Sequence, residues 1–463
     1  MKQKTLGALL GLGLSLGAWA QSPVPTVDVG AVTPTATAVV EVAAAAAAAP
    51  AVTVNTGNTA FMMICAALVL LMTLPGLALF YGGLVRKKNI LSVLMHCLAA
   101  AAIVSVVWAV YGFSFAFGEG NAFFGNTNHL FLANTDGFNS LFIADANGVP
   151  AIVFVMFQMT FAIITPALIA GGFAERMRFP AFCLFTLLWV SLIYCPICHW
   201  VWGAKGFLYH GNADAWAKAL DFAGGTVVHI NAGIAALVCA LYLGKRKGFP
   251  NRLSPPHNLP FAIIGACLLW IGWFGFNAGS ELACDQTAAN AMLYTQVAAA
   301  VAALVWLVLD GIYHGKATAL GAITGAVAGL VAITPACGFV DLKGSLFIGI
   351  LGAAAAWAFV VYLKPKLKLD DTLDAFGVHG VAGIVGALLT GVFCVATKDG
   401  MSHFGQFVEQ LKAVAVTIGF SALGTWILLM LVNCITKVRA DEREETVGLD
   451  VSQHKESAYT VID

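Results

Sequence analysis

Long apolar segments follow one another along most of this chain, and they constrain its fold more than any other feature. Each is about 20 residues long, the length that an α-helix needs to cross the hydrocarbon core of a bilayer. The chain is 60% hydrophobic and only 10% charged, so most of it belongs in lipid. We therefore predict an all-α membrane protein with eleven transmembrane helices. The predicted spans are 59–84, 90–116, 149–173, 179–203, 224–243, 258–279, 287–310, 317–338, 344–363, 376–396 and 409–436.

The first residues have the pattern of a secretory signal peptide. Lys2 and Lys4 are followed by an apolar stretch and then by Ala18-Trp19-Ala20, a small-x-small cleavage site. An exported segment rich in Ala, Pro, Val and Thr comes next and predicts a flexible linker. The predicted organisation is a signal peptide at 1–20, a linker at 21–56, a transmembrane domain at 57–436 and a cytoplasmic tail at 437–463.

Basic residues set the predicted orientation. With the N-terminus outside, the inner loops hold thirteen Lys and Arg and the outer loops five. The positive-inside rule favours that arrangement, and the signal peptide agrees with it. An odd number of helices then leaves the C-terminus in the cytoplasm. The net charge of zero gives no electrostatic support to a nucleic-acid partner.

Three pairs of short motifs recur five helices apart and in the same order. They are 228–234 with 378–384 (both VHxxAGI), 164–167 with 333–336 (both ITPA), and 76–83 with 272–279 (both GxxxFxxG). Because five is odd, the two halves enter the membrane from opposite sides. This predicts two five-helix inverted repeats with a pathway at their interface, and an eleventh helix outside the repeat.

The repeat brings two intramembrane histidines to equivalent positions, His229 and His379. Ionisable residues inside a membrane usually face a cavity or each other. A neutral imidazole pair shares one N–H and presents its other nitrogens to a small polar solute stripped of water. The alternative is that each histidine bonds a neighbouring helix backbone and serves only packing.

Aromatic residues and one hydroxyl lie toward the outer ends of predicted helices. Phe157 and Phe161 share one face of helix 3, and Trp273, Phe276 and Ser280 share one face toward the outer end of helix 6. Helix 4 adds His199 and Trp202 at its outer end. Such a cluster would bind a small cation through cation–π contacts. The alternative for each ring taken singly is lipid or core packing.

Carboxylates are scarce and lie at predicted helix ends. Asp221 precedes helix 5 at a capping position, and Asp370, Asp371 and Asp374 could cap helix 10 similarly. No predicted span holds a carboxylate near mid-membrane, as a transporter tightly coupled to Na⁺ or H⁺ usually would. Eleven scattered cysteines, with a single CxxC in a predicted membrane helix, indicate no metal site and no cofactor.

Together these residues resemble the Amt/Mep/Rh ammonium transporter family, most closely its bacterial Amt members. The resemblance covers roughly residues 57–460. It rests on the segments 154–179 (FVMFQMTFAIITPALIAGGFAERMRF), 196–203 (PICHWVWG), 221–233 (DFAGGTVVHINAG), 273–280 (WFGFNAGS), 333–338 (ITPACG), 371–386 (DTLDAFGVHGVAGIVG) and 448–459 (GLDVSQHKESAY).

The resemblance implies a role for each candidate site residue. Trp202, Phe161 and Ser280 correspond to the external ammonium-binding site, and Phe161 and Phe276 to a paired phenylalanine gate below it. His229 and His379 correspond to twin histidines lining a hydrophobic pore, which Trp273 flanks. Asp221 corresponds to an aspartate that orders the outer vestibule and assists deprotonation.

The family also implies a homotrimer with one pore per subunit and a PII-type signal protein on the cytoplasmic face. These expectations place the protein in the inner membrane of a Gram-negative bacterium, in nitrogen uptake and in contact with lipid. The tail departs from the family pattern at Lys455, where the family commonly has glycine, a residue suited to unusual backbone angles.

Ammonium or ammonia transport is therefore the expected function, and the chain is not expected to be an enzyme. Two rivals stand beside it. One is a membrane enzyme whose histidines hold haem or a metal between helices, which an absorbance scan would reveal. The other is an ammonium sensor that signals through the tail; nothing in the sequence resembles a kinase or cyclase domain.

Overall fold

The computed structural model describes residues 54–135, 147–251 and 254–459. The predicted signal peptide and almost all of the linker lie outside the described residues. Eleven apolar helices follow in order: α1 Thr56–Leu84, α2 Ile90–Phe117, α3 Ala151–Phe173, α4 Phe179–Trp202, α5 Gly225–Leu243, α6 Leu259–Glu281, α7 Gln286–His314, α8 Ala319–Ile333, α9 Leu342–Leu367, α10 Phe376–Phe393 and α11 His403–Ile435. A short helix, α12, spans Glu442–Val447, and shorter helical turns lie at Leu130–Leu132, Lys398–Gly400 and Asp450–His454. The described part of the chain contains no β-strand, only isolated bridges.

Ten of the described helices are long and apolar enough to cross a membrane. This confirms an all-helical, multi-span membrane protein, and the helix bounds agree with most of the predicted spans. α8 is shorter than its prediction of 317–338. Its 15 residues extend about 22 Å, less than the roughly 30 Å of a hydrocarbon core.

The end of α8 lies within its ITPA motif, whereas the same motif at 164–167 lies inside the uninterrupted helix α3. The helix stops at Ile333, and the chain continues as turns through Pro335. The carbonyl of Pro335 accepts the N–H of Phe222, 3.1 Å away, from the loop that precedes α5. The shortened end of α8 is therefore joined to the entrance of the helix that carries His229.

The two helices with the VHxxAGI motif cross in close contact at the centre of the bundle. A Cβ on Gly233 of α5 would lie 2.3 Å from the backbone nitrogen of Gly380 in α10, so this crossing requires glycine. α5 is the most enclosed of the ten spans, because 83% of its most apolar 18-residue stretch is buried, against 28% for α7 and for α9. The outer faces of α7 and α9 are accordingly the ones left for lipid or another subunit.

Both central helices begin with wide π-type turns, at Gly225–Ile230 and Phe376–Val381. Each wide turn contains the histidine of its motif. Such turns are rare in proteins and occur mostly at functional sites, because they rotate side chains away from the regular helical positions. Five further wide turns occur in the described chain, at Met72–Leu77, Trp108–Gly112, Val190–Tyr194, Ala358–Leu363 and Asp450–His454, so what distinguishes these two is that each holds the histidine of a VHxxAGI motif.

Candidate functional site

Two stacked phenylalanine rings close the bundle from α3 and α6. The centroids of Phe161 and Phe276 lie 4.1 Å apart with an interplanar angle of 26°, and both side chains are completely buried. Phe157, one turn before Phe161, packs against it with centroids 4.9 Å apart. A ring pair this close leaves no room for a hydrated ion without side-chain movement.

A cavity of about 270 Å³ lies next to the residues that contact this ring pair, although neither Phe161 nor Phe276 lines it. Trp202 lines it and meets the Phe161 ring edge to face, with centroids 5.9 Å apart. Ser280 lines the opposite wall, and its hydroxyl donates to the carbonyl of Phe276 over 2.8 Å. The hydroxyl proton is thus engaged, and the oxygen lone pairs remain available to accept from a cation that carries N–H groups.

The carboxylate of Asp221 organises the start of α5. It accepts hydrogen bonds of 2.7 to 3.1 Å from four consecutive backbone N–H groups, those of residues 224 to 227. Gly224 makes this wrap possible, since its φ of +112° is left-handed. Burial raises the pKa of the Asp221 carboxyl, and the four N–H donors oppose that rise. The carbonyl of Asp221 accepts the indole N–H of Trp202 over 2.8 Å, so one residue positions both the helix and the ring.

The two histidines touch below the phenylalanine pair. Their Nδ1 atoms are 3.3 Å apart, so one donates and the other accepts. The His229 ring stacks on Trp273, with centroids 5.3 Å apart, and on Phe276, with centroids 5.9 Å apart. Among the described residues, Nε2 of His229 is buried and has no hydrogen-bond partner. A desolvated imidazole nitrogen therefore faces the column of rings.

Trp273 lies in α6 and is positioned by a hydrogen bond to a residue outside that helix. Its indole N–H donates to the Thr334 hydroxyl over 2.8 Å, just beyond the end of α8. The structure thus brings seven of the predicted residues into one column: Trp202, Phe161, Ser280, Phe276, His229, His379 and Trp273. Asp221 lies beside its outer end.

Of the three aspartates expected to cap α10, only Asp371 does so. It accepts from the N–H groups of residues 375, 376 and 377, and burial raises the pKa of its carboxyl against the lowering effect of Lys364. Asp370 instead forms ion pairs with Arg176 and Arg246, and Asp374 with Lys364. Asp371 precedes His379 by eight residues, as Asp221 precedes His229, and this shared spacing could have distinguished it from Asp370 and Asp374 in the sequence.

The structure adds one residue to the site and separates another from it. Gln158 lines the cavity three residues before Phe161, and its Oε1 is buried without a partner in the described part of the chain. The pattern of aromatic residues in the sequence did not identify this amide. His199, near the end of α4, does not join the column, because its two ring nitrogens bond the carbonyls of Ala116 and Asn121.

On the opposite side of the bundle, the tail folds back on the loops. The N–H of Leu449 donates to Asn89 Oδ1, and the N–H of Ser92 donates to Asp450 Oδ1, each over 2.8 Å. Arg178, between α3 and α4, pairs with Glu444 of α12 over 2.9 Å. Lys455 has a φ of +59°, which is the left-handed conformation that explains why glycine suits this position.

The fold and the column define a multi-span membrane protein with a buried chain of aromatic and imidazole rings inside a helix bundle. A family model described as the Ammonium Transporter Family matches residues 60–459. The ammonium transporter of Bacillus subtilis is 46% identical over 410 residues, which cover 87% of this chain and 98% of the relative. This chain therefore belongs to the ammonium transporter family.

Solved structures agree with that assignment. The crystal structure of Saccharomyces cerevisiae Mep2 superposes with a TM-score of 0.76 and 36% identity, covering 84% of this chain and 91% of that one. A structure described as a Sensor Amt Protein superposes with a TM-score of 0.78 and 29% identity, covering 86% of this chain and 98% of that one.

Proposed function

We propose that this protein carries ammonium nitrogen across the membrane through the column of rings. Ammonium binds in the outer cavity against Trp202 and Ser280, at the wall behind which the Phe161 ring contacts Trp202. The Phe161–Phe276 pair excludes hydrated ions and opens by ring rotation. The substrate then loses its proton or is otherwise dehydrated, and ammonia and the proton both pass the His229–His379 pair, so that charge crosses the membrane with the nitrogen.

One observation carries this proposal: the stacked gate rings lie directly against the paired histidines, with the rings of Phe276 and His229 in contact. A bare ammonium ion without a counter-charge would lose several kcal/mol of solvation in such a place. A neutral ammonia that hydrogen-bonds an imidazole nitrogen loses far less. The passage therefore favours the deprotonated species.

Asp221 contributes through position and charge. Its carboxylate faces the cavity wall and is occupied by backbone donors, and its carbonyl holds the Trp202 indole. A buried anion close to the binding site favours a cation there. Asp221 thus shapes the vestibule, attracts ammonium and assists the proton's departure.

The proposal includes the wider assembly. α8, together with the turns that follow it, also crosses the membrane, which makes eleven crossings. Ten of them form two inverted five-helix repeats, and α11 lies outside the repeat. The N-terminus is outside and the C-terminus inside. The exposed apolar faces of α7, α9 and α11 support contact with lipid and with two further copies in a homotrimer. We place the protein in the inner membrane of a Gram-negative bacterium. The Bacillus subtilis relative comes from a bacterium that is not Gram-negative.

The direct test is electrical recording from proteoliposomes that receive pulses of ammonium. We expect a transient current that saturates with ammonium concentration and is absent with K⁺ pulses. Protein-free vesicles are the control. A protein that binds ammonium and passes neither current nor ¹⁵N label would contradict the transport function.

Trp202→Leu should raise the ammonium concentration that gives half-maximal current. The lost cation–π contact contributes about 0.5–2 kcal/mol, which corresponds to a shift of roughly two- to thirtyfold. The matched control is Trp200→Leu. Trp200 lies on the same helix and donates its indole N–H to the carbonyl of Phe123 over 2.8 Å, and it does not line the cavity. Equal half-saturation in wild type and Trp202→Leu would show that the outer site is misassigned.

Removal of residues 448–463 should weaken regulation by a PII-type partner while the trimer still assembles. The tail's contacts with Asn89 and Ser92 disappear, so a protein docked on the tail can no longer act on the start of α2. Inhibition of transport by the cognate PII protein is the measurement. A shorter deletion of residues 457–463 keeps those contacts and is the control. Full inhibition of the longer deletion would refute this role of the tail.

A sensor is the second candidate, because the structure described as a Sensor Amt Protein matches over 98% of its length. In that function, ammonium binding in the outer cavity would change the tail contacts without nitrogen crossing the membrane. Uptake of ¹⁵N-labelled ammonium into vesicles separates the two candidates. Uptake at a rate equal to that of protein-free vesicles favours the sensor.

A further inference from the structure

Helix α11 lies outside the predicted repeat, yet it carries two fully buried glutamines beside the outer site. Gln406 is 0% and Gln410 1% exposed. A buried amide in a membrane helix is costly unless its donors and acceptor are satisfied, so its partners indicate what it does.

The shortest hydrogen bonds of Gln410 are directed at two backbone segments of the site, and its Oε1 also accepts a longer bond of 3.5 Å from Nε2 of Gln406. Its Oε1 accepts the N–H of Leu220 over 2.6 Å, and its Nε2 donates to the carbonyl of Leu220 over 2.8 Å and to that of Ala387 over 2.9 Å. Leu220 immediately precedes Asp221. Ala387 lies in α10, about two turns after His379. One side chain therefore ties the loop of Asp221 to the helix of the second histidine.

Gln406 extends the same attachment one turn earlier. Its Nε2 donates to the carbonyl of Lys218, and its Oε1 accepts the N–H of Lys398, each over 2.9 Å. Between them, the two glutamines hold the backbone at residues 218 and 220. The next residue, Asp221, holds the start of α5 and the Trp202 indole.

We propose that Gln410 is a positioning residue for the outer ammonium site, acting through Leu220 on Asp221 and, through Asp221, on Trp202. This inference rests on the proposed function. The physical basis is the two hydrogen bonds that hold the backbone of Leu220. Loss of the amide removes both bonds and lets the peptide group between Leu220 and Asp221 move. The indole would then no longer lie squarely against the Phe161 ring, and the cation contact would weaken.

The test is Gln410→Met, which keeps the side-chain length and removes the amide. In reconstituted protein we expect half-saturating ammonium to rise by about tenfold, because a cation–π contact is lost or misaligned, while saturating current changes little. Gln410→Glu retains the acceptor oxygen and loses the hydrogen bonds that the amide donates to the carbonyls of Leu220 and Ala387. It should therefore also raise the half-saturating ammonium concentration. Gln296→Met is the control, since Gln296 accepts the Trp270 indole on the exposed side of α7.

A double variant decides whether the effect passes through Trp202. If it does, Trp202→Leu with Gln410→Met shifts half-saturation no further than Trp202→Leu alone, because the two act on one contact. Shifts that multiply would overturn the proposal. So would unchanged half-saturation in both Gln410 variants while Trp202→Leu remains shifted. If Trp202→Leu is also unshifted, the outer site itself fails, which is a different result.

Discussion

Alanine at both His229 and His379 should reduce the ammonium-driven current of reconstituted protein by about 30-fold or more. The two rings supply hydrogen-bonding nitrogens at the narrow, buried centre of the passage. Without them a desolvated ammonia has no partner there, a loss of about 1–3 kcal/mol for each missing bond. Transport of ¹⁵N-labelled ammonium and the pulse-induced current are the two measurements.

The matched control is His96→Ala. His96 is an equally buried histidine in α2 that packs against Phe182 with ring centroids 4.4 Å apart, away from the column. The His96→Ala substitution removes one imidazole from the bundle and should leave the ammonium-driven current near that of the wild type. Replacement of His229 or His379 by Glu should instead admit K⁺, because a carboxylate supplies the missing counter-charge. A double alanine variant with unchanged rate and selectivity would reduce the pair to packing.

Asp221→Ala should abolish high-affinity transport and destabilise the protein by about 3 kcal/mol or more. Four buried backbone N–H groups lose a charged acceptor, and each unsatisfied donor costs about 1–3 kcal/mol. The left-handed turn at Gly224 then has no anchor, and Trp202 loses the fixed carbonyl that it bonds. Thermal unfolding in detergent and half-saturating ammonium are measured together.

Asp341→Ala provides the comparison. Asp341 caps α9 by accepting the N–H of Gly344 over 2.7 Å, on an exposed part of the surface. Loss of an ordinary cap costs about 1 kcal/mol and should not change transport. If Asp221→Ala is as mild as Asp341→Ala in both measurements, the carboxylate does not organise the entrance.

The predictions from sequence were most accurate where one physical requirement dominates. Lipid demands apolar stretches with internally satisfied backbone, so ten of the predicted spans match helices that can cross the membrane. The repeated VHxxAGI motif paired His229 with His379, and their Nδ1 atoms indeed lie 3.3 Å apart. Small residues at equal positions of both helices allow the close crossing that brings the imidazoles together.

Other features could not be predicted from the sequence, because they depend on which polar groups form hydrogen bonds or ion pairs in the folded protein. Asp370, Asp371 and Asp374 look equivalent before α10, yet only Asp371 reaches the N–H groups of the helix. Asp370 pairs with arginines from two distant loops, and Asp374 pairs with Lys364 in the last turn of α9. Gln410 lies in a predicted helix without a role, and its function depends on the backbone of Leu220, 190 residues away.

The sequence by itself determined the membrane class, the helix positions and the pairing of the central histidines. These follow from the length of apolar runs and from an internal repeat, both of which are local or periodic properties of the chain. The tertiary structure alone decided the stacking of Phe161 on Phe276, the bond from the Trp202 indole to the carbonyl of Asp221, and the attachment of the end of α8 to the loop before α5. Each is a ring contact or hydrogen bond between separate segments that packing brings together, and a buried polar group takes the partner that its packed neighbours supply.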